Sequence, residues 1–594
     1  MAEIQNPNQQ GGGGGQDSRS LFGFLIVFVL MMVGFEYFSP KKPTTPPQHP
    51  QEKSQSAQAA APATEATSPA VPARTRAKAH AGRTEAPAAQ TVEAPGEKDI
   101  VVENELYRIT FTNRGAAVKS WVLKKYKGDD QKTPLDLVNH EAAAKFGLPL
   151  SLFTYDATLK NQLNSALYVP SSSGPLTVPG SLSFDYSAGG LTVHKTFRFD
   201  SSYVIHADVT VTQNGAPVTA LLQWPSGMGD QTDLAGYAAS VIDQSDNGKT
   251  DTVAAKKVVG GDTLHGSFDY AGVSDMYFAA IFIPDVPADT TVVTLHNEVK
   301  APRSHDHPEP NGGSPAPLLG AAIGQNGGVV HTSLFVGPKL LGLLDNIRTA
   351  NGETLEHVVS FGWWTWIAKP MLLVLRFFAN HGISNWGWAI LALTVILNLA
   401  MIPTRIMMMK SSLKMQRIQP QMDAIKAKYS KYKTTDPRRQ EMNKEMFDLQ
   451  RKEGVNMFGG CIPMLLQYPL LIGFYEMLRY AIELRQAHWL WLPDLSAPDP
   501  THILPVFFIV SMFLSQYFTP ASGGIDPRQQ KMMAFMMPVI FGVMMWNIGS
   551  GVALYWAGSN LLGVGQQLIM NRTSMGQEIR AINAKRAAKR LAKR

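Results

Sequence analysis

Thr394, Asn398, Gln467, Glu476 and Asn560 stand inside apolar runs of a 594-residue chain. In hydrocarbon a polar side chain needs a hydrogen-bonding partner or a wet cavity. Thr394 and Asn398 lie four apart, on one face of a helix. Arg405 follows seven residues after Asn398. Along an unbroken helix that is nearly two turns, hence the same face, about 10 Å further on. Two readings are open: hydrogen bonds that hold a helical bundle together, or a polar cavity with Arg405 at its positive mouth. Glu476 and Arg479, near the outer end of their run, suggest an interfacial pair.

Covalent, redox and nucleotide chemistry find no comparable constellation. Cys461 is the single cysteine. It excludes an intrachain disulfide and, in an apolar run, reads as a buried inert thiol. Asn247-Gly248-Lys249-Thr250 ends like a phosphate loop, but Asp243 occupies the place of the first glycine and no apolar strand precedes it. His305-Asp306-His307 lacks a third metal ligand at useful spacing. No cofactor and no enzymatic activity are expected.

The elements that must position the polar groups follow from hydropathy. A bilayer-crossing helix needs about 20 mostly apolar residues. Five crossings are expected, at 386–404, 461–482, 503–518, 532–548 and 552–570, with Gly549-Ser550-Gly551 as the last turn. Residues 361–380, which open on Trp363-Trp364-Thr365-Trp366 and contain Lys369, Pro370 and Arg376, suggest an amphipathic helix lying on the outer surface. Residues 405–456 suggest a helical hairpin, with Asp436-Pro437 starting its second arm. Met415, Ile418, Met422 and Ile425 recur there at helical spacing, a stripe that either packs the arms or meets an incoming chain.

Charge sets the orientation. The net charge is +7, and it is uneven. Segment 405–453 has thirteen Lys/Arg against six Asp/Glu, and residues 572–594 have eight against one. The positive-inside rule places both, and so the C-terminal tail 571–594, in the cytoplasm. Basic clusters also suit ribosomal RNA.

Outside the bundle, residues 1–20 are Gly/Gln-rich, 21–38 suggest an uncleaved anchor helix, and 39–97 are Pro/Ala-rich, a disordered tether. From Ile100 the pattern has period two, as in Leu191–Phe199. Many short strands with polar turns indicate an all-β sandwich over 98–345, across the membrane from the N-terminus. The expected fold class is a membrane all-α core of five helices plus an N-terminal anchor, carrying an all-β sandwich domain.

Several stretches of the core resemble the YidC family of membrane protein insertases, related to the Oxa proteins of mitochondria. They are Lys414-Met415-Gln416-Arg417-Ile418-Gln419-Pro420, Gly459–Pro469, Glu483–Ala487, Trp491–Ser496 and Gly551–Trp556. The layout of anchor, β domain and core resembles the Gram-negative form of that family, which implies that the all-β domain is a periplasmic supersandwich. The resemblance implies insertion and folding of nascent membrane proteins, taken from the ribosome alone or with the Sec translocon. It implies contact with membrane lipids, no DNA, and an inner-membrane location with both termini cytoplasmic. A hydrophilic groove would take Thr394, Asn398, Arg405, Gln467 and Trp556, and a greasy slide Leu471, Phe508 and Met544. One departure stands out: the family usually places an arginine where this chain has Asn398. The rival readings are a polytopic transporter or channel, for which no internal repeat is visible, and a membrane-anchored enzyme acting on sugars, for which convergent carboxylates or histidines are lacking.

Overall fold

The computed structural model describes residues 91–303, 313–325, 327–432, 436–455, 462–518 and 527–591. The expectations for 1–20, for 21–38, for Cys461 and for His305-Asp306-His307 lie outside these residues. The described residues divide into two units, a larger one within 89–422 and 447–594 and a smaller one within 423–446.

The first part of the larger unit is the β domain. Its main sheet runs in the order Lys249–Ala254, Val241–Asp246, Phe268–Ser274, Phe278–Pro284, Val329–Pro338, Val204–Gln213, Leu191–Phe199, Gly180–Ala188 and Val169–Pro170. A second sheet centres on the long pair Thr290–Ala301 and Ser314–Gln325, which match residue for residue. A third is built on Tyr107–Thr112 and Ala117–Lys127. The alternation of Leu191–Phe199 sends Leu191, Val193, Phe197 and Phe199 inward. Phe111 of the third sheet lies against Phe184, Phe197 and Phe199 of the main sheet. Trp121 of the same sheet meets Trp224 of the second. The third sheet therefore ties the other two into one aromatic core, each ring burying a large apolar area.

Lys195 falls on the inward parity of its strand and is fully buried. Its ammonium donates to the carbonyls of Gly115 (2.7 Å), Ala116 (3.2 Å) and Leu150 (2.9 Å). Burial pushes its pKa down to about 7. Asn247-Gly248, in the segment that ends like a phosphate loop, turns a hairpin between Val241–Asp246 and Lys249–Ala254, with φ of +50° and +73°.

The expected tether ends earlier than 97. Val92 and Ser187 exchange backbone hydrogen bonds of 2.8 and 2.9 Å, and Ala94 donates to Leu167. Backbone groups near a sheet edge find partners there, so composition alone overstated the disorder.

The C-terminal part is all helical. We number its helices α1 (Thr365–Asn380), α2 (Trp386–Ala400), α3 (Ile402–Lys428), α4 (Arg438–Lys452), α5 (Ile462–Tyr480), α6 (Ile503–Phe518), α7 (Pro527–Met544), α8 (Ser550–Arg572) and α9 (Ser574–Leu591). Helix α8 packs on α2 and α6, α6 on α7, and α1 on both α2 and α5. Among the described residues no single helix is long and apolar enough to cross a membrane by itself; α2 and α3 meet that measure together, bent by 47°.

Two expectations change here. The segment 386–404 is not one helix: it breaks after Ala400, so Arg405 belongs to α3 and not to the helix that carries Asn398. Pro403 accounts for the break: it lacks the N–H that would continue the ladder and its ring crowds the carbonyl of residue 399, whereas as the second residue of α3 it sits in a first turn, where that N–H has no intrahelical partner to lose. Ser550 and Gly551 begin α8 rather than forming a turn. The basic tail is largely helix α9, whose Ile579 is buried with Met409 and Leu413 of α3, while Arg417 forks onto Glu578 at 2.7 and 2.8 Å.

Within the smaller unit, Asp436 accepts from the backbone N–H of Arg438 at 3.0 Å, the capping expected at the start of α4. Lys428 pairs with Glu445 at 3.1 Å, and Arg438 lies over the Tyr432 ring.

Candidate functional site

The polar groups gather where α2 meets α8. Thr394 is fully buried and donates its hydroxyl to Ile390 O at 2.6 Å. Asn398, 7% exposed, donates its amide to Thr394 O at 2.9 Å and to Ser559 Oγ at 3.2 Å. The break after Ala400 lets Arg405 fold back. Its Nη2 donates to Asn398 Oδ1 at 3.2 Å, so the guanidinium sits beside the asparagine and not two turns away. Gln566 donates to the carbonyl of Asn398 at 3.3 Å, one of the acceptors that the end of a helix leaves open. Gln566 Oε1 is buried and accepts no hydrogen bond among the described residues. A Cβ on Gly563 would stand 3.1 Å from Arg405 Nη1, so the glycine makes room for the guanidinium.

This arrangement offers donors, one cation and an unused acceptor inside an otherwise apolar bundle. Its hydrogen bonds tie α2 to α8 and to the start of α3. Among the described residues no group of three His, Cys, Asp or Glu is placed to hold a metal ion.

The remaining residues singled out from sequence lie elsewhere. Gln467 on α5 is exposed and is not a described partner of the cluster. Trp556 stacks on Phe508 (5.8 Å between centroids, 27°) and meets Phe541 edge-on (6.3 Å). Phe508 itself is 3% exposed. Successive residues of a helix diverge by about 100°, so Phe507, not Phe508, faces outward from α6. Leu471 is half-buried against the core and Met544 is exposed. Asn560 donates to Ser511 at 3.2 Å and joins α8 to α6. Sequence reasoning missed Ser559, Gly563 and Gln566. Their spacing of four and three on an apolar helix puts them on one face, and that was the available signal.

The outer face of the bundle is the inverse of its inside. Phe535, Val543, Ile569, Phe377 and Trp366 are all more than half exposed. Apolar side chains outside and hydrogen-bonded polar ones within are the pattern of a helical membrane protein, here with a β-sandwich domain attached. Family models match both parts: the YidC periplasmic domain over 99–374 and the 60Kd inner membrane protein over 377–578. A protein of Syntrophus aciditrophicus named membrane protein insertase YidC is 31% identical, over 80% of this chain and 85% of its own. One of the same name from Lawsonia intracellularis is 33% identical, over 80% and 88%. A crystal structure described as an active YidC insertase with its first transmembrane domain resolved is 19% identical and covers 82% of this chain and 95% of its own, with a TM-score of 0.33. The chain belongs to the YidC family of membrane protein insertases.

Proposed function

We propose that this protein inserts nascent proteins into the bacterial inner membrane, and that the polar flank of the substrate is held at the cluster of Thr394, Asn398 and Arg405. The observation that carries the reading is Arg405 lying back on Asn398 Oδ1. Asn398 supplies hydrogen bonding and hydration, and Arg405 supplies the positive field for an acidic tail. A half-buried cation is worth more there than in water, because the surroundings screen it less. The apolar segment of the substrate passes along the outer faces near Leu471 and Met544, with the Phe508–Trp556 stack as backing, and Gln467 lies on the exposed side of α5. Partition of that segment into lipid drives the step, so no nucleotide is consumed.

The basic segments 405–453 and 571–594 face the cytoplasm and meet the ribosome, both termini lie inside, and the β domain is periplasmic. The protein acts alone or with the Sec translocon.

Insertion of an acidic-tailed single-span substrate into proteoliposomes tests this, comparing wild type with Asn398→Ala and Arg405→Ala. Loss in both supports the reading. Full activity of the Arg405 variant sinks its electrostatic half, and full activity of both sinks the assignment of the cluster.

A further inference from the structure

Where the β domain meets the helical core there is a cavity of about 390 Å³ that the insertion reading does not use. Lys125 and Lys127, at the end of the strand Ala117–Lys127, form one side. Leu340, Trp386, Ile482 and Glu483 line it from the other side with the Arg485-Gln486 pair, and Tyr126 and Gln131 complete the wall. That pair fastens the walls together. Arg485, whose side chain is 8% exposed, donates to Lys127 O at 2.8 Å and lies over the Phe278 ring. Gln486 donates to Gly128 O at 2.8 Å. The cavity is thus bounded by two domains joined through buried and backbone contacts, and is not a gap between loose loops.

Its electrostatics favour an anion. Lys124 on the same strand is paired with Glu103, whereas neither Lys125 nor Lys127 has an ion-pair partner among the described residues. Glu483 is the opposing charge. Arg376 Nε stands 3.5 Å from its Oε1, which is buried and accepts no hydrogen bond. Burial pushes the Glu483 carboxyl up, while its own backbone N–H and Arg376 hold it partly down. With Glu483 matched by Arg376, the two free lysines leave the site positive.

Its depth favours a lipid. Trp386 opens α2, and Trp388, Trp489 and Trp491 cluster beside it with ring centroids 5.4 and 5.7 Å apart. Such belts sit at the level of the headgroups. Apolar walls next to paired ammonium groups suit a phosphate that continues into glycerol and acyl chain, and the volume lies in the range of roughly 300–1,000 Å³ usual for small-ligand pockets. We propose that this cavity binds the phosphodiester headgroup of an anionic phospholipid from the outer leaflet. Lys125 and Lys127 hold the phosphate, and Trp386, Leu340 and Ile482 hold the first carbons. A bound lipid would then bridge the β domain and the bundle.

The test is native mass spectrometry of the full chain released from nanodiscs of mixed phosphatidylglycerol and phosphatidylcholine. It uses no insertion readout, so it stands apart from the function proposed above. Wild type retains phosphatidylglycerol in preference to phosphatidylcholine. The double variant Lys125→Ala/Lys127→Ala loses that preference by about tenfold or more, given the usual contribution of a lysine at an anionic surface. Lys125→Arg/Lys127→Arg retains it, as does the control Lys256→Ala/Lys257→Ala on the same domain. Equal retention by wild type and the double alanine variant overturns the proposal. So does displacement of the lipid by an excess of inorganic phosphate, which would make this a free-anion site.

Discussion

Replacing Lys195 by methionine keeps the apolar stem and deletes the ammonium that three carbonyls surround. The carbonyls of Gly115, Ala116 and Leu150 lose their buried donor, at about 1–3 kcal/mol for each acceptor left unpaired. The contact of the ammonium with the Tyr168 ring, 5.7 Å away, is lost as well, at about 1 kcal/mol. Against this, the desolvation of a buried cation, several kcal/mol, disappears with the charge. The balance is a destabilisation of about 2–4 kcal/mol. For a domain of this size that lowers the melting temperature by roughly 5–15 °C, read from the β-domain transition by circular dichroism of detergent-solubilised protein.

The pH dependence adds a second, independent readout. The folded pKa is depressed to about 7, and an unfolded lysine titrates near about 10.4. Between these values the unfolded chain binds a proton that the folded chain does not. This group therefore makes stability rise as pH rises through that window, and Lys195→Met removes its share of the rise. A variant that melts within about 1 °C of wild type at neutral pH, with the same slope above it, would refute the carbonyl cage as a stabilising device.

Three further outcomes follow from contacts described above. Gly387→Ala puts a methyl group into the Trp489 ring and should cost about 1–3 kcal/mol by overpacking, measured as a lower melting temperature of the helical part. Ile579→Asp places a carboxylate against Met409 and Leu413; limited proteolysis should then cut α9 at least several-fold faster, whereas Arg417→Ala, which removes an exposed pair, should change stability by only about 0.5 kcal/mol. Arg485→Ala removes the donor to Lys127 O and the partner of Asp129; amide exchange around Gly128 should quicken about tenfold or more, since hydrogen bonds to a charged group are worth roughly 1.5–3 kcal/mol.

The β domain was legible because one face of each strand is buried and the other is not: the alternation of Leu191–Phe199 survives in its burial pattern. The same alternation placed Lys195 inward, but the carbonyls that accept from it come from residues 115, 116 and 150, far away in sequence. Thr394 and Asn398 were visible as a pair because both belong to one helix. Arg405 was misplaced because helical arithmetic assumed continuity through Pro403. Ser559 and Gln566 lie on a different helix, and only packing of α8 against α2 brings them to Asn398. The family was readable from short motifs rather than from periodicity. Periodicity sees a membrane bundle and cannot distinguish insertion from transport.

The contact between Arg405 and Asn398 has a consequence for what residue 398 can be. Asparagine presents an oxygen to the guanidinium and its amide protons to Thr394 and Ser559. An arginine at 398 presents only donors, and two cations about 4 Å apart repel by about 4 kcal/mol at an effective dielectric constant of 20. The site therefore has one vacancy for positive charge, filled from either side of the helix break but not from both. Among relatives, an arginine at the position of Asn398 and an arginine folded back from the position of Arg405 should exclude each other. The single chain Asn398→Arg should insert normally only once Arg405 has been neutralised.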